Sequence, residues 1–206
     1  MTFGRDHWWA VAHSADPDDL REEILTGFKS GKPFTPYVPT IDLPAPIARV
    51  LDFGCGVGRS FPYLKGIAQH ITGFDLPPMI ERCWSLAPVR ADVLSDRWED
   101  VRAGHFDLVF AALVLQHIEP VQCRSYLEGF ARMAPAVYLL TRAGSDFGGN
   151  VLDLIGETTL FDPGDCIEVD HDPATNQLRV LGRRTFEEAR RATAGHFEIL
   201  LRSRHP

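Results

Sequence analysis

Cysteine, positive charge and long apolar runs are all scarce in this sequence. Its 206 residues hold four cysteines, Cys55, Cys83, Cys123 and Cys166, far apart and with no C-x-x-C pair. That spacing excludes the common zinc frameworks and offers no disulfide pattern, so a reducing compartment is expected. Lys and Arg number 21 against 28 Asp and Glu, a formal net charge of −7. Sequence-independent nucleic-acid binding draws its affinity from cations that neutralise phosphates and is therefore not expected. The run Arg183, Arg184, Arg190 and Arg191 reads as a solvated helix face. The longest apolar stretch, Leu108 to Leu115, is far short of the roughly 20 residues of a membrane span. MTFGRDHWWA has no basic segment leading into an apolar one, so no secretory leader is expected. These absences leave a cytoplasmic protein with neither a membrane nor a nucleic acid as partner.

What is present is a regular alternation. Residues 33–46, with five prolines, read as an extended linker. A continuous apolar run at 47–53 follows as a buried strand, with a short helix at 58–66. Next come a strand at 70–75, a helix at 77–86, a brief strand at 88–91, a helical turn at 97–103 and a strand at 106–113. Pro120 opens a longer helix to Met133, with Tyr126, Leu127 and Phe130 on one side, and a fifth strand covers 136–141. Strands alternating with helices at this spacing make βαβ units, hence an α/β fold with an open, mostly parallel sheet and helices on both faces.

Past Gly144, segments 166–171 and 177–181 read as an antiparallel hairpin. A helix from Thr185 to Thr193 carries Glu188 at capping-box spacing, and a last strand spans 197–202. Ahead of the linker, Asp16, Pro17, Asp18 and Asp19 open a helix whose Leu20, Ile24, Leu25 and Phe28 recur at helical spacing and which stops at Gly31. An earlier turn holds Trp8 and Trp9. The expected organisation is a helical cap and linker, 1–46, ahead of a ligand-binding domain, 47–206.

The informative stretch is Val50-Leu51-Asp52-Phe53-Gly54-Cys55-Gly56-Val57-Gly58-Arg59, which leaves a strand and opens a helix. Glycines there let the backbone turn tightly and approach a ligand, while helix N–H groups face the site. Asp75 ends the next strand, 23 residues after Asp52, where a carboxylate can accept from both ribose hydroxyls of an adenosine. Asp92 follows the brief third strand and could accept from an adenine amine. A dinucleotide fingerprint, G-x-G-x-x-G, would end in glycine where this chain has Arg59. Asp52 would also repel a pyrophosphate and suits a cationic ligand instead. S-adenosylmethionine carries a sulfonium and an ammonium and no phosphate.

VLDFGCGVGR resembles the first motif of the class I S-adenosylmethionine-dependent methyltransferases, a hydrophobic pair, an acid and G-x-G-x-G. ITGFDLPPMIERC resembles their second motif and VRADVL their third. FDLVFAALVLQHIEP resembles the fourth strand and its loop, which in many small-molecule members has a histidine near His117. The resemblance covers about residues 47–141 and is specific in its ordered combination. It implies a Rossmann-like fold with Asp52, Gly54, Gly56 and Gly58, and Phe53 and Cys55 among them, at the methionine end of the cofactor. Asp75 and Leu76 would meet the ribose, Asp92 and Val93 the adenine, and Ala111 the sulfonium side. Pro77 stands where many relatives carry Ser, which removes a hydroxyl contact. The family's sheet has seven strands with the last antiparallel. Here the hairpin precedes the last helix, so the strand order beyond the fifth strand does not follow from the resemblance.

Competing readings attach to the other candidates. His117 and Gln116 lie beside the expected acceptor; His117 either takes a proton from an acceptor hydroxyl or amine or simply packs against its loop. Trp8 and Trp9 either form a lid on the acceptor side or anchor the N-terminal segment as core aromatics. Cys55 reads as a small filler with nothing to activate it. Asp162, Asp165, Glu168, Asp170, His171 and Asp172 alternate between strand faces and read as solvated surface, so no metal is expected. The expected activity is methyl transfer to an O, N or C nucleophile of a small molecule. A catalytically silent cofactor-binding module and, further off, an NAD-type oxidoreductase are the alternatives.

Overall fold

Val50, Leu51 and Phe53 pack into the interior from both sides of the first apolar run, and Ile47–Phe53 is a strand, β1, buried along its second half. The computed structural model describes residues 5–14, 37–172 and 177–204; the helix expected over Asp16–Gly31 lies outside them. Ahead of β1 stands α1 (Arg5–Ala12). After it come α2 (Phe61–Ile67), β2 (Ala68–Phe74), α3 (Pro77–Leu86), β3 (Val93–Ser95), α4 (Trp98–Arg102) and β4 (Leu108–Ala112). A 3-10 turn (Leu115–His117), α5 (Pro120–Met133) and β5 (Ala136–Arg142) follow. The C-terminal part adds α6 (Val151–Glu157), β6 (Phe161–His171), β7 (Leu178–Arg184), α7 (Phe186–Arg191) and β8 (His196–Ser203).

The described strands form one eight-stranded sheet in the order β3-β2-β1-β4-β5-β8-β6-β7. β3, β2, β1, β4 and β5 are parallel neighbours. β8 inserts antiparallel between β5 and β6, and β7 closes that edge antiparallel to β6. The chain leaves β1 toward β2 and β3, then returns to place β4 on the other side of β1. This reversal opens a crevice at the carboxyl ends of β1 and β4, where open α/β sheets take their ligands.

One face of the sheet packs on α4, α5, α6 and α7 through Val101, Leu127, Phe130, Leu152 and Ala189. The other packs on α2 and α3 through Phe61, Leu64, Ile80 and Cys83. Past β4 on that second face there is no helix among the described residues. The extended segment from Tyr37 covers it with Tyr37, Ile41 and Leu43. Glu198 of β8, fully buried, anchors this strap. Its carboxylate accepts from the Thr40 N–H at 3.0 and 3.1 Å, from the Thr40 hydroxyl, from Tyr138 Oη at 2.5 Å and from Tyr37 Oη at 3.2 Å. A buried carboxylate is tolerable only when its lone pairs are filled in this way.

The structure corrects the sequence reading in three places. The third strand forms at Val93–Ser95 rather than 88–91, because pairing with β2 starts at Thr72 opposite Val93, while Val89 and Ala91 pack into the core without pairing. The first helix after the glycine loop starts at Phe61 rather than Gly58. A helix not expected from the sequence, α6, is capped by Asn150, whose side chain accepts from the Leu152 N–H at 3.0 Å. The capping box of α7 forms as expected, with Thr185 and Glu188 exchanging hydrogen bonds. The hairpin does precede the last helix, and its strands run longer than expected, Phe161–His171 and Leu178–Arg184.

Candidate active site

The glycine loop is a left-handed turn that side chains would obstruct. Gly54, Gly56 and Gly58 have φ of 73°, 55° and 80°, a region that costs L-residues about 1–2 kcal/mol each. The Gly54 and Cys55 N–H groups donate to the Phe74 carbonyl at 2.8 and 3.1 Å, folding the loop over the tip of β2. A Cβ on Gly54 would stand 2.4 Å from Val114 Cγ2, so this glycine also lets the loop after β4 close against the loop after β1.

Two acids converge on this turn. Asp75, half-buried past the end of β2, accepts from the Gly56 N–H and the Leu76 N–H, each at 2.7 Å. Burial pushes its pKa up to about 6, against the pull of the two backbone donors. Asp52, at the end of β1, is 2% exposed, and its Oδ2 is buried with no hydrogen-bond partner among the described residues. Burial first, and the nearby Asp75 second, hold its carboxyl well above the usual carboxylate range. A buried acceptor without a donor costs about 1–3 kcal/mol, more when charged, and this one lies at the base of a ligand loop. A cationic ligand with N–H donors fits that vacancy in the hydrogen bonding; a pyrophosphate does not.

The opposite wall comes from the loop after β4 and from α1. Leu113 takes a φ of 56°, unusual for a branched side chain, and its N–H donates to the Leu140 carbonyl at 2.8 Å. The 3-10 turn then presents His117, whose Nδ1 is 2.6 Å from Asp146 Oδ2. Asp146 also pairs with the Arg142 guanidinium, and its N–H donates to the Gln116 carbonyl at 2.9 Å. Burial pushes the His117 pKa down, outweighing the lift from the Asp146 carboxylate. Trp8 packs edge-on against His117, ring centroids 5.1 Å apart, and joins Val11, Ala12, Val57, Met79 and Leu76 in a small apolar cluster. Arg82 of α3 ties down the end of α1 through the Ala12 and Ser14 carbonyls, at 3.0 and 2.8 Å. α1 thus lies across the glycine loop and the tip of β2.

Not every residue singled out in the sequence comes to this edge. Asp92 precedes β3 rather than ending it. Its carboxylate, exposed, accepts from Lys65 Nζ at 2.7 Å and the Ile71 N–H at 2.8 Å, which pull its pKa down. Val93 is the first residue of β3; the carboxyl end of that strand is Ser95, whose carbonyl accepts from the Asp75 N–H at 3.3 Å, with Asp96 next. Phe53 directs its ring into an aromatic cluster with Phe74, Trp98, Tyr126 and Phe130. Cys55 is buried beside Cys83, which raises its pKa, so it fills space as expected. Ala111 sits within β4 opposite Leu139, in the core, and the edge is built by Ala112, Leu113 and Val114 instead. Gln116 is 2% exposed and bridges Thr141 and His117. Trp9 turns outward to Arg5 and His13. Among the described residues no His, Cys, Asp and Glu side chains form a metal-binding cluster. Arg184, Arg190, Arg179 and Arg204 are paired with acids. The sequence reading missed Asp146 and Arg142, whose link to His117 crosses 29 residues of chain.

Residues 51–134 match the family model described as "Methyltransferase domain". No curated protein sequence matches this one. Among solved structures, the N-methyltransferase NodS of Bradyrhizobium japonicum WM9, crystallised with S-adenosyl-L-homocysteine, superposes with a TM-score of 0.54 at 16% identity, covering 77% of this chain and 79% of NodS. The methyltransferase domain of bacterial CtHen1-CN superposes with a TM-score of 0.51 at 13% identity, over 76% of this chain and 90% of that one. These likenesses speak to the fold. The fold is Rossmann-like, and the turn that carries Asp52, Gly54 and Asp75 lies inside the segment that matches the methyltransferase-domain model.

Proposed function

We propose that this chain transfers the methyl group of S-adenosylmethionine to a small-molecule acceptor held between the loop after β4 and α1. The unpartnered Oδ2 of Asp52 carries this reading: a buried carboxyl oxygen without a hydrogen-bond partner among the described residues, beside Gly54 at the crevice between β1 and β4. Asp52 and the loop of Gly54, Gly56 and Gly58 hold the methionine end. Asp75 holds the ribose hydroxyls through the lone pairs that Gly56 and Leu76 leave over, since a carboxylate accepts about four hydrogen bonds. Asp96, just past the carboxyl end of β3, takes the adenine role that the sequence reading gave to Asp92. Ala112, Leu113 and Val114 line the sulfonium side. The bound cofactor supplies a methyl carbon already activated for in-line displacement. The protein's task is to align the acceptor and exclude water.

Trp8 packs against His117 on that wall, and the net charge of −7 suits a metabolite better than a polyanionic polymer. The four cysteines are free and buried, in keeping with a reducing compartment.

Thermal-shift titration with S-adenosylmethionine, S-adenosylhomocysteine and NAD tests the reading. The first two are expected to raise Tm and NAD to leave it unchanged, and Asp75→Ala is expected to abolish the rise. Stabilisation by NAD alone, or a rise in Asp75→Ala equal to that of the wild type, overturns it. Cofactor binding with no methylated product across a broad acceptor panel points to a silent binding module.

A further inference from the structure

We infer that α1 is a latch across the crevice: its C-terminal half is a fixed anchor, and Trp8 is a releasable contact whose opening lets the cofactor in and out. The inference rests on the cofactor reading above, because it concerns passage to the site built on Asp52, Gly54 and Asp75.

The two halves of α1 are held by different means. Val11 and Ala12 are buried in one cluster with Val57 of the glycine loop and Met79 of α3. Arg82 of α3 then fastens the backbone, donating through Nε to the Ala12 carbonyl at 3.0 Å and through a terminal nitrogen to the Ser14 carbonyl at 2.8 Å. The carbonyls at the end of a helix lack intrahelical donors, so a charged donor there is a strong tie. Toward its N-terminus the helix surfaces. Arg5, Asp6, Trp9 and Ala10 are exposed, and the Arg5 guanidinium lies over the Trp9 ring at 5.6 Å from its centroid. Trp8 turns the other way. Its ring packs on the anchor cluster and meets His117 edge-on, centroids 5.1 Å apart, with His7 edge-on to it in turn.

Trp8 therefore joins the two walls. Val57 stands between Gly56 and Gly58 on the cofactor side, and His117 belongs to the turn after β4. With Trp8 on one side and Asp146 on another, the His117 side chain is only 14% exposed. A ligand laid along the crevice past Asp52 and Asp75 enters and leaves beneath this ring.

The closed position is also a shallow one. The Trp8 indole N–H is buried without an acceptor among the described residues, and that cost is relieved when the ring swings out to water. An edge-on aromatic pair favours closure by about five- to tenfold in population, enough to shut the crevice and weak enough to yield. Trp8 lies four residues, about one helical turn, from Ala12. A small rotation about the anchored end withdraws the ring from His117 while the Arg82 tie stays in place.

Surface plasmon resonance of S-adenosylhomocysteine on the immobilised protein tests the latch. In Trp8→Ala the association and dissociation rate constants are both expected to rise about five- to tenfold. Kd should stay within about twofold, because the latch shuts over the empty and the filled crevice alike. Trp8→Phe keeps a ring against His117 and should keep both rates within about twofold of the wild type. Faster dissociation alone would make Trp8 part of the binding pocket, and faster association alone would make it a competitor for the cofactor's own space. Unchanged rates would make it a packing residue, and a Phe variant as fast as the Ala variant would deny the ring its part. Each of these overturns the inference. Hydrogen exchange of the Trp8 indole N–H in the free wild type needs no variant. Corrected for intrinsic rates, it should exchange about 10²-fold or more faster than the amides of β4, through local opening; exchange only at the rate of global unfolding overturns the latch. Failure of the wild type to bind S-adenosylhomocysteine would instead overturn the cofactor reading.

Discussion

The two walls of the crevice are built on different principles. On the β1–β2 side, the parts lie within 25 residues of one another, from Asp52 to Leu76, and each is a local device: a glycine where φ is positive, an acid where a strand ends. On the β4–β5 side, His117 depends on Asp146, on Arg142 and on Trp8, which lies far back in the chain. The first wall is a ligand cradle assembled by the turn itself. The second exists only once the sheet has closed and β8 and the strap have fixed β5. Damage to the first should read out in cofactor affinity, and damage to the frame of the second in stability.

Glu198→Ala should give the largest effect. It leaves the Tyr37 and Tyr138 hydroxyls and the Thr40 N–H without their buried acceptor, a loss of about 3–5 kcal/mol in all at roughly 1–3 kcal/mol for each buried donor left unsatisfied. In a chain of this size that lowers Tm by roughly 10 °C in calorimetry, while S-adenosylhomocysteine affinity of the folded fraction stays within about threefold. Gly54→Ala should show the reverse emphasis. Its Cβ meets Val114 at 2.4 Å in a left-handed backbone, so titration calorimetry should find affinity down about 100-fold or more, with a stability loss of about 1–3 kcal/mol.

A subtler distinction comes from pH. The ribose role needs ionised Asp75, whose pKa is about 6 in the free protein. Ligand binding favours the deprotonated form, so affinity should be level above pH 7 and fall as pH drops through 6, approaching tenfold per unit. Asp75→Asn should flatten that limb at reduced affinity. Smallest of all, Asp92→Asn should leave affinity within about twofold and cost under about 1 kcal/mol, the worth of an exposed ion pair with Lys65.

Those contrasts also explain what could be read from the sequence. β1, α3 and α5 were legible because an apolar run or an apolar stripe, with Pro77 and Pro120 at helix starts, decides them locally. The positions of Asp52, Gly54 and Asp75 at the ends of β1 and β2 and in the turn between follow from equally local signals, a strand end and a glycine with positive φ. Asp92 misled because the third strand's position depends on its pairing partner in β2 and not on its own apolar residues. Asp146 had no local signal beyond a turn-forming Gly-Ser-Asp-Phe-Gly-Gly-Asn stretch. Its role appears only when that turn meets the loop after β4. α6, at seven residues, is too short for a periodic pattern and is announced only by its Asn150 cap.

The central claim is that a buried carboxylate lacking a donor is kept in the free protein for a cationic ligand. Calorimetric titration of S-adenosylmethionine into wild type and Asp52→Asn, with the unfolding transition of both free proteins, tests it most directly. Affinity should fall about tenfold or more in the variant, while the free variant is at least as stable as the wild type, because the substitution removes a buried carboxyl group whose ionisation burial opposes. Unchanged affinity, or a variant that loses stability and affinity together, would contradict the claim.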